Sequence, residues 1–133
     1  MGYRRGLLLA GLGLLLMTGC ATVAPQLASI DDSVRGYNRA LRWRETEQAA
    51  SHVAEEMREK FRRQAEGMRE VRIADCRVTS VAVDRQWLTA VATVEMDYYL
   101  TDSARLRSIT QQQFWRYREM EGWRLLTPLP EFK

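Results

Sequence analysis

The sequence predicts an α+β domain in which helices come first and a curved antiparallel sheet packs against them. Three observations carry this expectation. Apolar residues from Ile30 to Phe61 recur at helical spacing. From Val71 onward the period changes to alternation, with many β-branched residues. Turn-like clusters at Asp84-Arg85-Gln86, Thr101-Asp102-Ser103 and Met120-Glu121-Gly122 then divide the second half into four strands. Helices followed by a run of strands are the order of an α+β layer architecture.

A leader precedes the domain. Arg4 and Arg5 form a short positive head, Gly6 to Met17 is an uncharged apolar run, and small residues lead to Cys20. A signal peptide has this order of parts. The apolar run is too short to cross a hydrocarbon core of about 30 Å comfortably. Met17-Thr18-Gly19-Cys20 resembles the lipobox of bacterial lipoproteins, with Met where Leu is more usual. The resemblance implies cleavage between Gly19 and Cys20, a diacylglycerol thioether on the Cys20 sulfur and a further acyl chain, such as palmitate, on its new amino group. It also implies, with Ala21 rather than Asp after the cysteine, transfer to the outer membrane, facing the periplasm. Two or three acyl chains hold a protein almost permanently, since each buried CH₂ contributes roughly 0.8 kcal/mol. The alternative is an ordinary secreted protein cut near Thr22 or Ala24. Gly6 stands where a myristoylation signal needs Ser or Thr, and the surroundings of Arg4-Arg5 do not otherwise look like a twin-arginine signal.

Composition narrows the function classes. The chain has 133 residues and a formal net charge of +3. Of its 20 basic groups, Arg4 and Arg5 leave with residues 1–19, so 18 face 17 acidic groups and the net charge falls to +1. That balance gives no electrostatic reason to expect nucleic acid. With Cys20 lipidated, Cys76 is the one remaining thiol, so no internal disulfide forms; it is expected as a buried small apolar residue, with an intermolecular disulfide as the alternative.

Residues 20–28 read as the lipidated cysteine and a short tether broken by Pro25, and residues 29–133 as one domain. Ser29 is expected to open the first helix, with Asp31 and Asp32 near its positive end. Ile30, Val34, Tyr37 and Leu41 make its apolar stripe, and Arg35, Asn38, Arg39 and Arg42 its opposite side. Thr46 can cap a second helical stretch running to Gly67, with Ala50, Val53, Met57 and Phe61 as its stripe. It reads as one long helix or two shorter ones bent near Glu55.

Val71 to Val83 is the first strand. Trp87 to Leu100 follows, with Leu88, Ala90, Ala92, Val94, Met96, Tyr98 and Leu100 on one face and Thr89, Thr93, Glu95 and Asp97 on the other. Ala104 to Tyr117 is the third strand, and Trp123 to Leu126 a short last one stopped by Pro128 and Pro130. The apolar phase slips within the first strand and is unclear in the third, which predicts bulges that bend the sheet.

Tyr37-Asn38-Arg39-Ala40-Leu41-Arg42-Trp43, the helix around Arg58 to Phe61, and Gln113-Phe114-Trp115-Arg116-Tyr117 before Gly122-Trp123-Arg124-Leu125 together resemble small nuclear transport factor two-like domains. The resemblance covers roughly Ser29 to Phe132 and lies in order and texture rather than in a diagnostic motif. It implies a cone-shaped fold, a curved antiparallel sheet wrapped around helices, often enclosing an apolar pocket. Enzymes of that fold, such as isomerases and cyclases, place a carboxylate and tyrosines inside the pocket. The nearest residues here are Asp75, Asp97, Tyr98 and Tyr99, and strand alternation sets Asp97 away from the Tyr98 face.

Motifs for chemistry are lacking. One histidine, no paired cysteines and no His-x-x-His spacing leave a zinc site without ligands. There is no Gly-x-Ser-x-Gly elbow, and His52 is expected as a solvated surface residue. Among the aromatics, Trp87 sits on the more polar side of its strand and is the candidate for an exposed contact, while Tyr98 and Trp115 could line a pocket. Gln111-Gln112-Gln113 is polar for a strand and reads as a wet face or an edge. The expectation is a membrane-anchored envelope lipoprotein without enzymatic activity or cofactor beyond its covalent lipid. It would bind an envelope protein or a small apolar ligand. The alternatives are a small-molecule carrier or pocket-type enzyme on the same fold, and a structural component that forms a homodimer or larger homo-oligomer.

Overall fold

The computed structural model describes residues 24–133, with side chains from residue 29 onward. Gly19, Cys20 and the expected signal peptide, residues 1–19, lie outside the described residues. The described part holds three helices and four strands: α1 Ala24–Arg42, α2 Thr46–Ser51, α3 Glu55–Glu66, β1 Val71–Asp84, β2 Thr89–Leu100, β3 Ser103–Arg118 and β4 Gly122–Leu125. The strands form one antiparallel sheet in the order β1-β2-β3-β4, which curls without closing, and the helices pack on it. The α+β expectation holds.

Helix α1 starts five residues before Ser29, so Ser29 does not open it, and Ala24 to Ala28 are helical. Pro25 is compatible with this, because a helix leaves its first N–H groups unpaired and loses nothing to a proline there. At its other end the Arg44 N–H donates to Leu41 O and the Glu45 N–H to Ala40 O, with Arg44 at φ 61°. This paired closure with one left-handed residue stops the helix.

The second helical stretch is two helices, α2 and α3. Glu45, not Thr46, is the residue before α2, and it makes no side-chain cap. The break at residues 52–54 has a cause in the sheet. Leu125 N–H donates to His52 O, and Ala54 N–H donates to Leu125 O, so Val53 bridges the outer edge of β4. A short edge strand thereby gains partners for its free backbone groups.

Register slips between Ile73 and Asp75 and between Val78 and Ser80 in β1, and the β2–β3 pairing is irregular between Tyr98 and Leu100. These are the expected bulges. On the concave face Ala90, Ala92, Val94, Met96 and Tyr98 alternate inward from β2, as predicted. Tyr37 of α1 meets Trp115 of β3 edge-on with centroids 6.0 Å apart, and Phe61 of α3 at 6.1 Å. Trp123 and Leu125 of β4 close the same core.

Three side chains depart from their expected surroundings. Asn38 is buried, not on the wet side of α1. Gln113 and Gln111 are buried on the concave face rather than marking a wet one. The three amides satisfy one another. Asn38 Nδ2 donates to Val34 O (2.8 Å) and Gln113 Oε1 (3.1 Å), Gln113 Nε2 returns a bond to Asn38 Oδ1 (2.9 Å), and Gln111 Nε2 donates to Pro128 O (2.8 Å). Buried polar groups are tolerated when they are paired in this way.

His52 is half-buried rather than solvated. Its ring lies on α1 at Gly36, where an added Cβ would come within 3.1 Å of Cε1 and Nε2, so glycine lets α1 and the end of α2 approach. Burial, and then the Arg124 charge, hold the imidazole below its ordinary value of 6.5. The folded value lies below the unfolded one, so the unfolded chain binds the proton more readily. This contribution is therefore full above pH 6.5 and lost as the pH falls through 6.5 toward the folded value. Thermal melts between about pH 7.5 and about pH 5.5 are expected to lose a few degrees, and His52→Gln to flatten that slope. An equal slope in both proteins would assign the pH dependence to other groups.

Candidate functional site

The apolar interior leaves little room. A small cavity beside it, lined by Ala40, Leu41, Arg44, Thr46, Phe61 and Ile73 among others, measures about 50 Å³, against the several hundred that a drug-sized ligand needs. Trp115 and Tyr98 are 1 % and 3 % exposed and fill the core instead of lining a pocket. The Tyr98 hydroxyl donates to Lys133 O at 2.6 Å and accepts from Lys133 N at 3.2 Å, which ties the last residues to β2.

Trp87 is 69 % exposed, and it belongs to the turn before β2 and not to the strand. Asp84 Oδ1 accepts from the Gln86 N–H (2.9 Å) and the Trp87 N–H (3.1 Å) and shapes that turn. Trp115 and Trp123, at 1 % exposed, belong to the core, so any contact that Trp87 makes is separate from it.

The carboxylates expected near an enzyme pocket lie on the outer side of the sheet. Arg77 donates to Asp97 (2.7 Å), Asp75 (2.9 Å) and Glu95 (3.4 Å), and the Ser108 hydroxyl donates to Asp97 at 2.6 Å. These bonds hold Asp97 below its ordinary value, the opposite of what an apolar pocket does to a carboxyl group. Asp97 and Tyr98 point to opposite faces, as alternation predicts. Among the described residues, no group of three or more His, Cys, Asp or Glu is arranged to hold a metal, and no helix is long and apolar enough to cross a membrane.

A different site comes from α1. Arg35, Arg39 and Arg42 fall at i, i+4 and i+7, which puts them on one flank of the helix. With Asn38 and Trp43 from the helix side, and Cys76 and Val78 from β1, they line an open cleft of about 320 Å³. Arg42 donates to Asp75 at 3.4 Å and lies 5.2 Å over the Trp43 ring, a cation–π distance. Among the described residues, no ion pair joins Arg35 or Arg39 to a carboxylate within 4.0 Å.

Cys76 forms part of the floor and is half-buried, not fully buried as expected. Burial, reinforced by Asp75, pushes its thiol up to about 11. Near neutrality it is a protonated, weakly polar surface rather than a nucleophile. The cleft therefore offers guanidinium donors along one wall and an apolar floor. Such donors take anions, since arginine has five N–H groups and no acceptor. Helical periodicity predicts these arginines on the polar side of α1; their i, i+4, i+7 spacing is the available signal, and Trp43 carries none.

Comparison with family models, with curated proteins and with solved structures finds no match for this chain.

Proposed function

We propose that the protein is a lipid-anchored binding domain of the bacterial envelope, held at the outer membrane through Cys20 and performing no chemistry of its own. The observation that carries the binding part is the cleft between α1 and β1, where a concavity of about 320 Å³ meets the guanidiniums of Arg35 and Arg39, neither of them ion-paired among the described residues. The filled interior and the outward, arginine-bound Asp97 favour this reading over a pocket enzyme or an interior carrier. The curled sheet around helices supports a nuclear transport factor two-like domain at the coarse level of layers and strand order.

Two measurements test it. The chain expressed in a Gram-negative host with radioactive palmitate is expected to take label, and Cys20→Ser to take none; label on Cys20→Ser overturns the anchor. Native mass spectrometry of the acylated chain, extracted gently in detergent, is expected to show an added small molecule or a partner. A second reading, a structural homo-oligomer, draws on Phe114 and Leu106, exposed at 52 % and 61 % on β3. A clean integer multiple of the chain mass would favour it.

A further inference from the structure

We propose that the α1–β1 cleft binds an oxyanion, a carboxylate or a phosphate, carried on a small apolar body. This rests on the binding reading above and names the class of ligand.

Charge is the first argument. Arg35 and Arg39 line the cleft without a carboxylate within ion-pair distance, and Arg42 shares Asp75 with Arg77, which stands closer to it (2.9 against 3.4 Å). The lining groups that face them from β1, Cys76 and Val78, are neutral near pH 7, and the nearest β1 carboxylate, Asp75, is already bonded to Arg42 and Arg77. Like charges at i and i+4 on a helix cost a few tenths of a kcal/mol, and an anion between them would remove that cost. Two guanidiniums one helical turn apart can each offer paired N–H donors to the oxygens of one oxyanion.

Shape and polarity give the second argument. The volume of about 320 Å³ lies at the lower end of small-molecule sites. A concavity of that size suits a small solute better than the flat face of a bilayer. Asn38 spends its amide on Val34 and Gln113, which leaves its side chain fixed and the arginines as the free donors. Val78, the Cys76 thiol and the Trp43 ring offer a mainly apolar surface beside those donors. An inorganic ion would leave it uncovered, whereas an anion with an aromatic or acyl body would cover it.

Titration calorimetry on the full acylated chain in detergent tests this, with phenyl phosphate and benzoate as probes and benzyl alcohol as the neutral control. At least one anion is expected to bind below about 10 mM, and the alcohol not to bind. The double variant Arg35→Gln/Arg39→Gln is expected to weaken anion binding by about tenfold to a hundredfold with an unchanged melting profile, since both side chains are exposed. The stronger probe decides between carboxylate and phosphate. Water-soluble dihexanoyl phosphatidylglycerol, compared with phenyl phosphate, decides between a lipid headgroup and a free solute. No anion binding, or binding untouched by the double variant, overturns the proposal. If the native mass spectrum then still shows a neutral ligand or a partner, the binding reading survives without the anion; a bare chain removes both.

Discussion

Trp115→Ala is expected to destabilise the domain by about 3–5 kcal/mol, a large share of the roughly 5–15 kcal/mol that holds a typical domain together. Trp115 is 1 % exposed and stands at the centre of the concave face. Across the sheet it pairs with Ala90 on one side and Leu125 on the other, and Ala92 lies one inward position further along β2. Those alanines leave the space the indole fills. They cannot fill it themselves once it is gone, so the cavity term adds to the lost transfer energy. The edge-on contact with Tyr37 is lost as well, worth about 0.5–1.5 kcal/mol beyond area. Urea unfolding should show the midpoint falling with an unchanged slope. Trp87→Ala, at a residue 69 % exposed, is expected to stay within about 0.5 kcal/mol. Equal losses in the two variants would contradict the placement of Trp115 in the core.

That contrast between two tryptophans shows what the sequence could and could not disclose. Periodicity is a statement about which face a side chain takes, and β2 obeyed it from Ala90 to Tyr98 because both of its edges are paired and one face is covered. Trp87 lies beyond that regular stretch, where the Asp84 side chain and not alternation sets the backbone. The split between α2 and α3 was open for a similar reason: its cause is a pair of hydrogen bonds that join His52 and Ala54 to the distant Leu125, and no local pattern carries it. Start signals failed at Ser29 and Thr46, where neither polar side chain stands at the cap position. The arginine cleft was half legible. Spacing put Arg35, Arg39 and Arg42 on one flank, but only the packing of α1 against β1 supplies the facing wall.

The buried amides were the largest misreading, and they make the second strong prediction. Asn38→Leu alone is expected to cost about 1–3 kcal/mol, because it strips the fully buried Gln113 of its reciprocal partner. Gln113→Met alone should cost a similar amount by leaving Asn38 Oδ1 buried without a donor. Asn38→Leu with Gln113→Met removes both halves of the pair and keeps comparable volumes, so the double variant should lose well under the sum of the single losses. The coupling follows from geometry: helical spacing of about 100° per residue sets Asn38 only about 40° from Val34, on the core flank of α1, and strand alternation puts Gln113 on the same face as Trp115. A polar residue at either place is buried whatever its chemistry, and each is tolerated through the other. The pair joins α1 to β3 in the orientation in which Arg35 and Arg39 line the cleft against β1. Chemical unfolding of the four proteins in the cycle gives the coupling directly. Strict additivity would mean that the two amides do not share their bonds, and α1 would then be held over the sheet by its apolar stripe alone.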